Sequence, residues 1–254
     1  MEEFYDADYL QKTGLILQKI KQASYQPFTK MLGSKIIDLG CGTGGDVNAM
    51  AKMLDSSNSI VGIDHNSILL EEARRQNASH KNCSFLQTEA HILPFAEGEI
   101  SGLRSERLFQ HLSHPSETVR ELYRVLSSNA PIVIVETDWK GLVFYNALHE
   151  IEDKVTRYLV EKKVNNGYAS RTLIQLLQDS SFKILNTEIH NFYFKSLKDA
   201  NAALEISTVL NEALEHCYID QNEHRKINET IHELDSKGAF VCSINTILIY
   251  AQKL

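Results

Sequence analysis

The sequence predicts a doubly wound α/β domain: a mostly parallel sheet, helices on both faces, an antiparallel strand near the C-terminus, and helical additions. Three observations lead there. Lys35-Ile36-Ile37-Asp38-Leu39-Gly40-Cys41-Gly42-Thr43-Gly44-Gly45-Asp46 reads as a short buried strand, a glycine turn and the start of a helix. Residues 59–64 form a second apolar strand that ends in an acid, Asp64. Pro131-Ile132-Val133-Ile134-Val135-Glu136-Thr137 is the clearest buried strand of the chain.

The 254 residues, 43% hydrophobic and 23% charged, suit a soluble globular protein with a substantial core. A net charge of -7 argues against a nucleic-acid partner, because phosphate binding needs a basic face. Cys41, Cys83, Cys217 and Cys242 show no C-x-x-C spacing. A zinc site or disulfide framework is therefore not expected, and a reducing cytoplasm is. The acidic start Met1-Glu2-Glu3 lacks a following apolar stretch, so no secretory signal is expected, and no apolar run is long enough to span a bilayer.

In chain order, residues 1–34 read as an N-terminal helical segment with Leu10, Leu17 and Ile20 on one face. Tyr5 and Tyr9 precede that stripe and either lie over a cofactor mouth or pack in a core. Residues 35–254 form the main domain. In the turn, Gly40, Gly42 and Gly44 permit positive φ and close approach of a ligand. Gly40, Gly42 and Gly45 also satisfy the G-x-G-x-x-G spelling of a dinucleotide site. The charges argue against that, since Asp38 and Asp46 flank the turn with no Lys or Arg between them. Two carboxylates repel a diphosphate and favour a ligand that carries positive charge and no phosphate, such as S-adenosylmethionine.

This segment resembles motif I of the class I S-adenosylmethionine-dependent methyltransferases, in the small-molecule subgroup related to ubiquinone and menaquinone biosynthesis. The resemblance implies a Rossmann-like sheet and S-adenosylmethionine as cofactor. It places Asp38, Gly40, Cys41, Gly42 and Gly44 at the cofactor, although Cys41 also reads simply as a small packing residue. Asp64 lies about 24 residues after Gly40, near the spacing of a ribose-binding carboxylate, which accepts from both vicinal hydroxyls. Its alternative is a helix N-cap. In Asp64-His65-Asn66-Ser67-Ile68-Leu69 the resemblance puts His65 in the acidic loop and Leu69 against adenine. Glu89 and Ala90, behind a third strand at 83–87, occupy the places that read the adenine edge.

The fourth strand, 99–105, is weak on pattern because it carries Gly102 and Arg104. Yet Arg104-Ser105-Glu106-Arg107-Leu108-Phe109-Gln110-His111-Leu112 resembles the subgroup's passage beside the sulfonium, which places Ser105 at the cofactor and Phe109 and Gln110 at the acceptor. The Asn/Asp-Pro-Pro-Tyr of adenine- and glutamine-N enzymes and the Pro-Cys of cytosine-C5 enzymes are absent, leaving a small organic or lipid-like acceptor. Trp139, after the fifth strand, either lines the acceptor pocket or packs. Should the acceptor be a hydroxyl, His111, Glu106 and Asp138 are the candidate bases, in that order. His111 and His114 lack the carboxylate pattern of a metal pair, and no metal is expected. Helices are expected at 142–164, 171–177 and 198–235, with strands at 182–190 and 239–251. The excursion 195–237 either caps the substrate or forms a homodimer contact. Two readings compete with methyl transfer from S-adenosylmethionine to a small acceptor: an NAD(P)-dependent oxidoreductase, and a non-catalytic S-adenosylmethionine-binding protein.

Overall fold

The computed structural model describes residues 18–145 and 148–254. The described chain runs α1 (Gln18–Tyr25), β1 (Lys35–Leu39), α2 (Gly45–Met53), β2 (Ser59–Asp64), α3 (Ser67–Gln76), β3 (Cys83–Gln87), β4 (Gly102–Glu106), α4 (Pro115–Val125) and β5 (Pro131–Tyr145). It continues through α5 (His149–Tyr158), α6 (Ala169–Asp179), β6 (Phe182–Phe194), α7 (Leu197–Leu204), α8 (Ile206–Glu215), α9 (Gln221–Ser236) and β7 (Val241–Lys253). The seven strands form one sheet in the order β3-β2-β1-β4-β5-β7-β6. Neighbours from β3 to β5 pair in parallel, and β7 runs antiparallel to both β5 and β6. The order reverses direction beside β1, where a doubly wound sheet opens its ligand crevice.

Alternation along the strands explains the two-sided burial. Ile36, Val133 and Val135 face α1, α2 and α3, while Ile37, Ile132 and Ile134 face α4 and α6. The long strands β5, β6 and β7 carry a further core beyond the parallel part, where Trp139, Leu142, Phe144 and Ile244 pack against α5, α7, α8 and α9.

Several expected boundaries change. Residues 142–145 are strand, because Leu142 and Phe144 alternate into that further core and residues 143–145 pair with residues 241–243 of β7. Helix α5 starts only at His149 and passes into a wider π turn at Leu159–Lys163. The stretch 198–235 divides into three helices, broken by left-handed residues at Glu205 and Cys217. Of the N-terminal helical segment, Gln18–Tyr25 is helix and Gln26–Phe28 a 3-10 turn opened by Pro27. The rest of that expectation, with Tyr5 and Tyr9, lies outside the described residues.

Candidate functional site

A cleft opens at the carboxyl ends of β1, β2 and β3. Gly40, Asp64, His65, Glu89 and Ala90 line it, so five of the expected cofactor residues meet in one place. Its apolar walls come from Leu39, Ile63, Leu108 and Leu112, with Thr88 beside Glu89. None of those five was singled out in advance. Leu39 and Ile63 were legible only as strand ends, and their register across β1 and β2 places them side by side on the cleft floor.

Asp64 is held from two sides. Its Oδ2 accepts the Gly42 N–H at 2.9 Å and its Oδ1 accepts the Asn66 N–H at 2.9 Å. It is not the helix cap: Asn66 is, its Oδ1 accepting from the amides of Ile68 and Leu69. Each carboxylate oxygen keeps a second lone pair, which suits it to accept from vicinal hydroxyls. Leu69 is partly buried in the first turn of α3 and does not line the cleft. Leu108 and Leu112 do line it.

The amides of Gly40 and Cys41 both donate to the Ile63 carbonyl, at 2.8 and 2.9 Å, and that of Gly44 donates to Cys41 O at 2.9 Å. With Gly42 bound to Asp64, these four turn amides are already satisfied inside the protein, leaving them no N–H to offer a phosphate. The glycines discriminate further. Gly44 has φ +74°, and a Cβ there would lie 2.8 Å from Asn77 Nδ2 and 2.9 Å from Ala73 Cβ. A Cβ on Gly45 would meet nothing within 4 Å. The spelling the backbone requires is therefore Gly40-x-Gly42-x-Gly44, and the G-x-G-x-x-G reading has no structural need for its last glycine. Cys41 is a packing residue, since burial pushes its thiol up and its Sγ approaches Gly62.

The expectation that Asp38 and Asp46 stand uncompensated is corrected. Arg104, buried in β4, places Nη1 3.0 Å from Asp38 Oδ1 and 3.2 Å from Asp46 Oδ2, and Nη2 against Glu106. Lys21 of α1 reaches Asp46 at 2.7 Å and Glu106 at 2.8 Å. The Tyr25 hydroxyl donates to Asp46, and Ser24 Oγ accepts from Arg104 Nε at 2.8 Å. These partners lie far off in sequence and could not be read beside the glycines. Burial pushes the Asp38 carboxyl up to about 7 against the pull of Arg104. Burial works the same way on Asp46, but Arg104 and Lys21 hold that carboxyl well below its usual range. Asp38 does not line the cleft, and its Oδ2 is buried without a hydrogen-bond partner.

Two of the candidate bases drop out. Glu106 is clamped by Arg104 and Lys21; burial alone would raise its carboxyl, but Lys21 and then Arg104 hold it down. Asp138 is bridged by Arg171 at 2.8 and 3.0 Å. His111 remains, and burial, with Arg107 and His65 nearby, lowers it to about 4, so its imidazole is neutral at physiological pH. It sits in a 3-10 turn, Phe109–His111, that the surrounding protein fixes closely. Glu136 Oε1 accepts the Phe109 N–H at 2.6 Å, Asn166 N–H donates to Gln110 O at 2.8 Å, and Asn165 Nδ2 donates to His111 O at 2.9 Å. Gln110 Oε1 accepts the Trp139 indole N–H at 2.8 Å, which brings these two expected acceptor residues together. Trp139 opens the irregularity of β5 between Asp138 and Val143, a bulge of the kind that re-aims a side chain. Phe109, Gln110 and Trp139 are all buried. Ser105, on the same row as Leu39 and Ile134, keeps a buried hydroxyl with no partner. Among the described residues no cluster of three metal-binding side chains occurs.

Comparison with known proteins agrees with this geometry. A family model described as a methyltransferase domain matches residues 31–199. The chain is a class I S-adenosylmethionine-dependent methyltransferase domain. The chain is 28% identical over 123 residues to demethylmenaquinone methyltransferase of Lactococcus lactis, covering 48% of this chain and 49% of that one. It is 26% identical over 220 residues to an uncharacterized 37.1 kDa protein of a Streptomyces fradiae transposon, covering 87% of this chain and 63% of that one. The chain thus spans about half to two thirds of these relatives. In fold it is similar to a putative methyltransferase of Bacillus halodurans, with TM-score 0.64, 15% identity, and coverage of 92% of this chain and 99% of that one. It is also similar to phosphoethanolamine N-methyltransferase 2 of Haemonchus contortus, solved with S-adenosylhomocysteine, with TM-score 0.60, 16% identity, and coverage of 97% and 57%.

Proposed function

We propose that the protein transfers a methyl group from S-adenosylmethionine to a small, largely apolar organic acceptor. One observation carries the cofactor half: a carboxylate fixed for a ribose, apolar walls beside it, and a glycine turn whose four satisfied amides suit a nucleoside without phosphate. Asp64 would hold the ribose, Glu89 and Ala90 the adenine edge, and Leu39, Leu108 and Leu112 its faces. Tyr9 stays a proposed lid residue on the resemblance alone. When bound, S-adenosylmethionine supplies an electrophilic methyl on a sulfonium.

The protein's own part is alignment and exclusion of water. The fixed Phe109–His111 turn and the Gln110–Trp139 bond hold the acceptor side in one arrangement, and such pre-positioning supplies much of the barrier reduction. His111 is uncharged and weakly basic, which suits an acceptor needing no strong base. Apolar neighbours and the quinone named in the demethylmenaquinone relatives support an aromatic, lipid-like acceptor. The four unpaired cysteines fit a cytoplasmic setting.

The test is label transfer from methyl-labelled S-adenosylmethionine across a panel of quinols, phenols, simple amines and phosphoethanolamine. Labelled product from the aromatic members is expected. Binding of S-adenosylhomocysteine with no transfer to any member would overturn the catalytic reading, and transfer only to phosphoethanolamine the apolar one.

A further inference from the structure

Among the described residues β6 is the outer strand at its end of the sheet and pairs with β7 alone. It runs over Phe182–Phe194 without a proline, and exposes Leu185, Ile189 and Tyr193 at 53%, 69% and 61%. Single exposed apolar residues are ordinary, but three large ones along one open strand stand out, and a free edge is a template for pairing. Over residues 187–191 its order is complementary about Ile189, acid against imidazole and polar against polar. Glu188 and His190 flank the centre and Thr187 and Asn191 stand next, while a register shift at Leu185 ends the regular stretch on the N-terminal side.

We propose that β6 pairs antiparallel with β6 of a second copy of this chain, about a two-fold axis at Ile189, joining two sheets into one. In that register Ile189 meets Ile189, each Glu188 faces the other copy's His190, and Thr187 faces Asn191. A two-fold contact must be self-complementary, and opposite charges directly across a strand pair favour this register. Lys183 and Lys195, which would face each other, fall beyond the paired span. Glu188 and His190 already lie 2.9 Å apart within one strand, so pairing would gather two acids and two imidazoles into one cluster. The strands that line the cofactor cleft are separated from β6 by β4, β5 and β7, so both clefts stay open in the dimer.

Sedimentation and light scattering over a concentration series test this. A mass of twice 28.8 kDa is expected for the unaltered protein. Ile189→Lys, which sets two lysines opposite each other, should weaken association at least tenfold while S-adenosylhomocysteine binding is unchanged. Glu188→Lys should weaken it as well, and the swap Glu188→Lys with His190→Glu should restore it, a rescue that general loosening of the strand would not give. A monomer at every concentration, or a dimer indifferent to Ile189→Lys and Glu188→Lys, overturns the proposal.

Discussion

Substituting alanine at the two adjacent glycines of the turn should move stability in opposite directions. Gly44 has φ +74°, where an L side chain costs about 1–2 kcal/mol. Its Cβ would also press against Asn77 and Ala73 at 2.8 and 2.9 Å. Overpacking of that kind costs roughly 1–3 kcal/mol. Gly44→Ala should therefore destabilise by about 2–5 kcal/mol, which in a domain of this size lowers Tm by roughly 5–15 °C. Gly45 opens α2 with room for a Cβ, and alanine restricts the unfolded chain more than glycine does. Gly45→Ala should be neutral or stabilising by about 0.5 kcal/mol. Urea titrations of both variants and the unaltered protein give the comparison directly. If Gly45→Ala lost as much as Gly44→Ala, the turn would be built on the dinucleotide spelling and the cofactor assignment would lose its backbone support.

Glu136, fully buried and raised to about 8 from an ordinary 4.5, favours the folded state only while protonated. Stability linked to it is present below about pH 4.5 and lost as pH rises through 8, at up to about 1.4 kcal/mol per pH unit. Glu136→Gln keeps an acceptor for the Phe109 N–H without the charge, so its stability relative to the unaltered protein should rise by roughly 3–5 kcal/mol between pH 5 and 8. A flat difference in denaturation free energy would contradict the burial of that carboxyl. Arg104→Met leaves Asp46 with Lys21 and Tyr25, Glu106 with Lys21 and Arg107, and Asp38 without its guanidinium, and should cost about 3–5 kcal/mol by urea titration at pH 7. An unchanged midpoint would show that Arg104 contributes nothing to holding these carboxylates. Gln110→Leu removes the indole acceptor, and the chain has one tryptophan, so a shifted emission spectrum with a loss of about 1–2 kcal/mol is expected.

The parallel half of the fold was legible because each strand is a short apolar run and each ends in chemistry that only a ligand side needs: glycines after β1, Asp64 after β2, Glu89 after β3. The weak β4 became a strand despite Gly102 and Arg104. A Cβ at residue 102 would strike the Phe28 ring at 2.9 Å, and Arg104 is matched by three carboxylates, two of them more than fifty residues away. That long range is also why the electrostatics of the turn misled. The acids are local in sequence and their cations are not. Leu142 to Tyr145 reads as helix in the sequence because the bulge at Trp139–Leu142 interrupts the alternation that marks a strand, and pairing with β7 decides it. Phe109 and Gln110 were legible from the motif at 104–112, and Trp139 from its place after β5. Their fixing by Glu136, Asn165 and Asn166 arises only when the loop before α6 folds back onto β4 and β5.

The most direct measurement is calorimetric titration of the protein with S-adenosylhomocysteine, NAD and NADP in parallel, repeated on Asp64→Ala. Micromolar or tighter binding of S-adenosylhomocysteine is expected, together with no detectable heat from either dinucleotide. Loss of two charge-assisted hydrogen bonds of about 1.5–3 kcal/mol each should weaken the nucleoside at least a hundredfold in the variant. Tight NAD or NADP binding, or S-adenosylhomocysteine affinity indifferent to Asp64, would contradict the account.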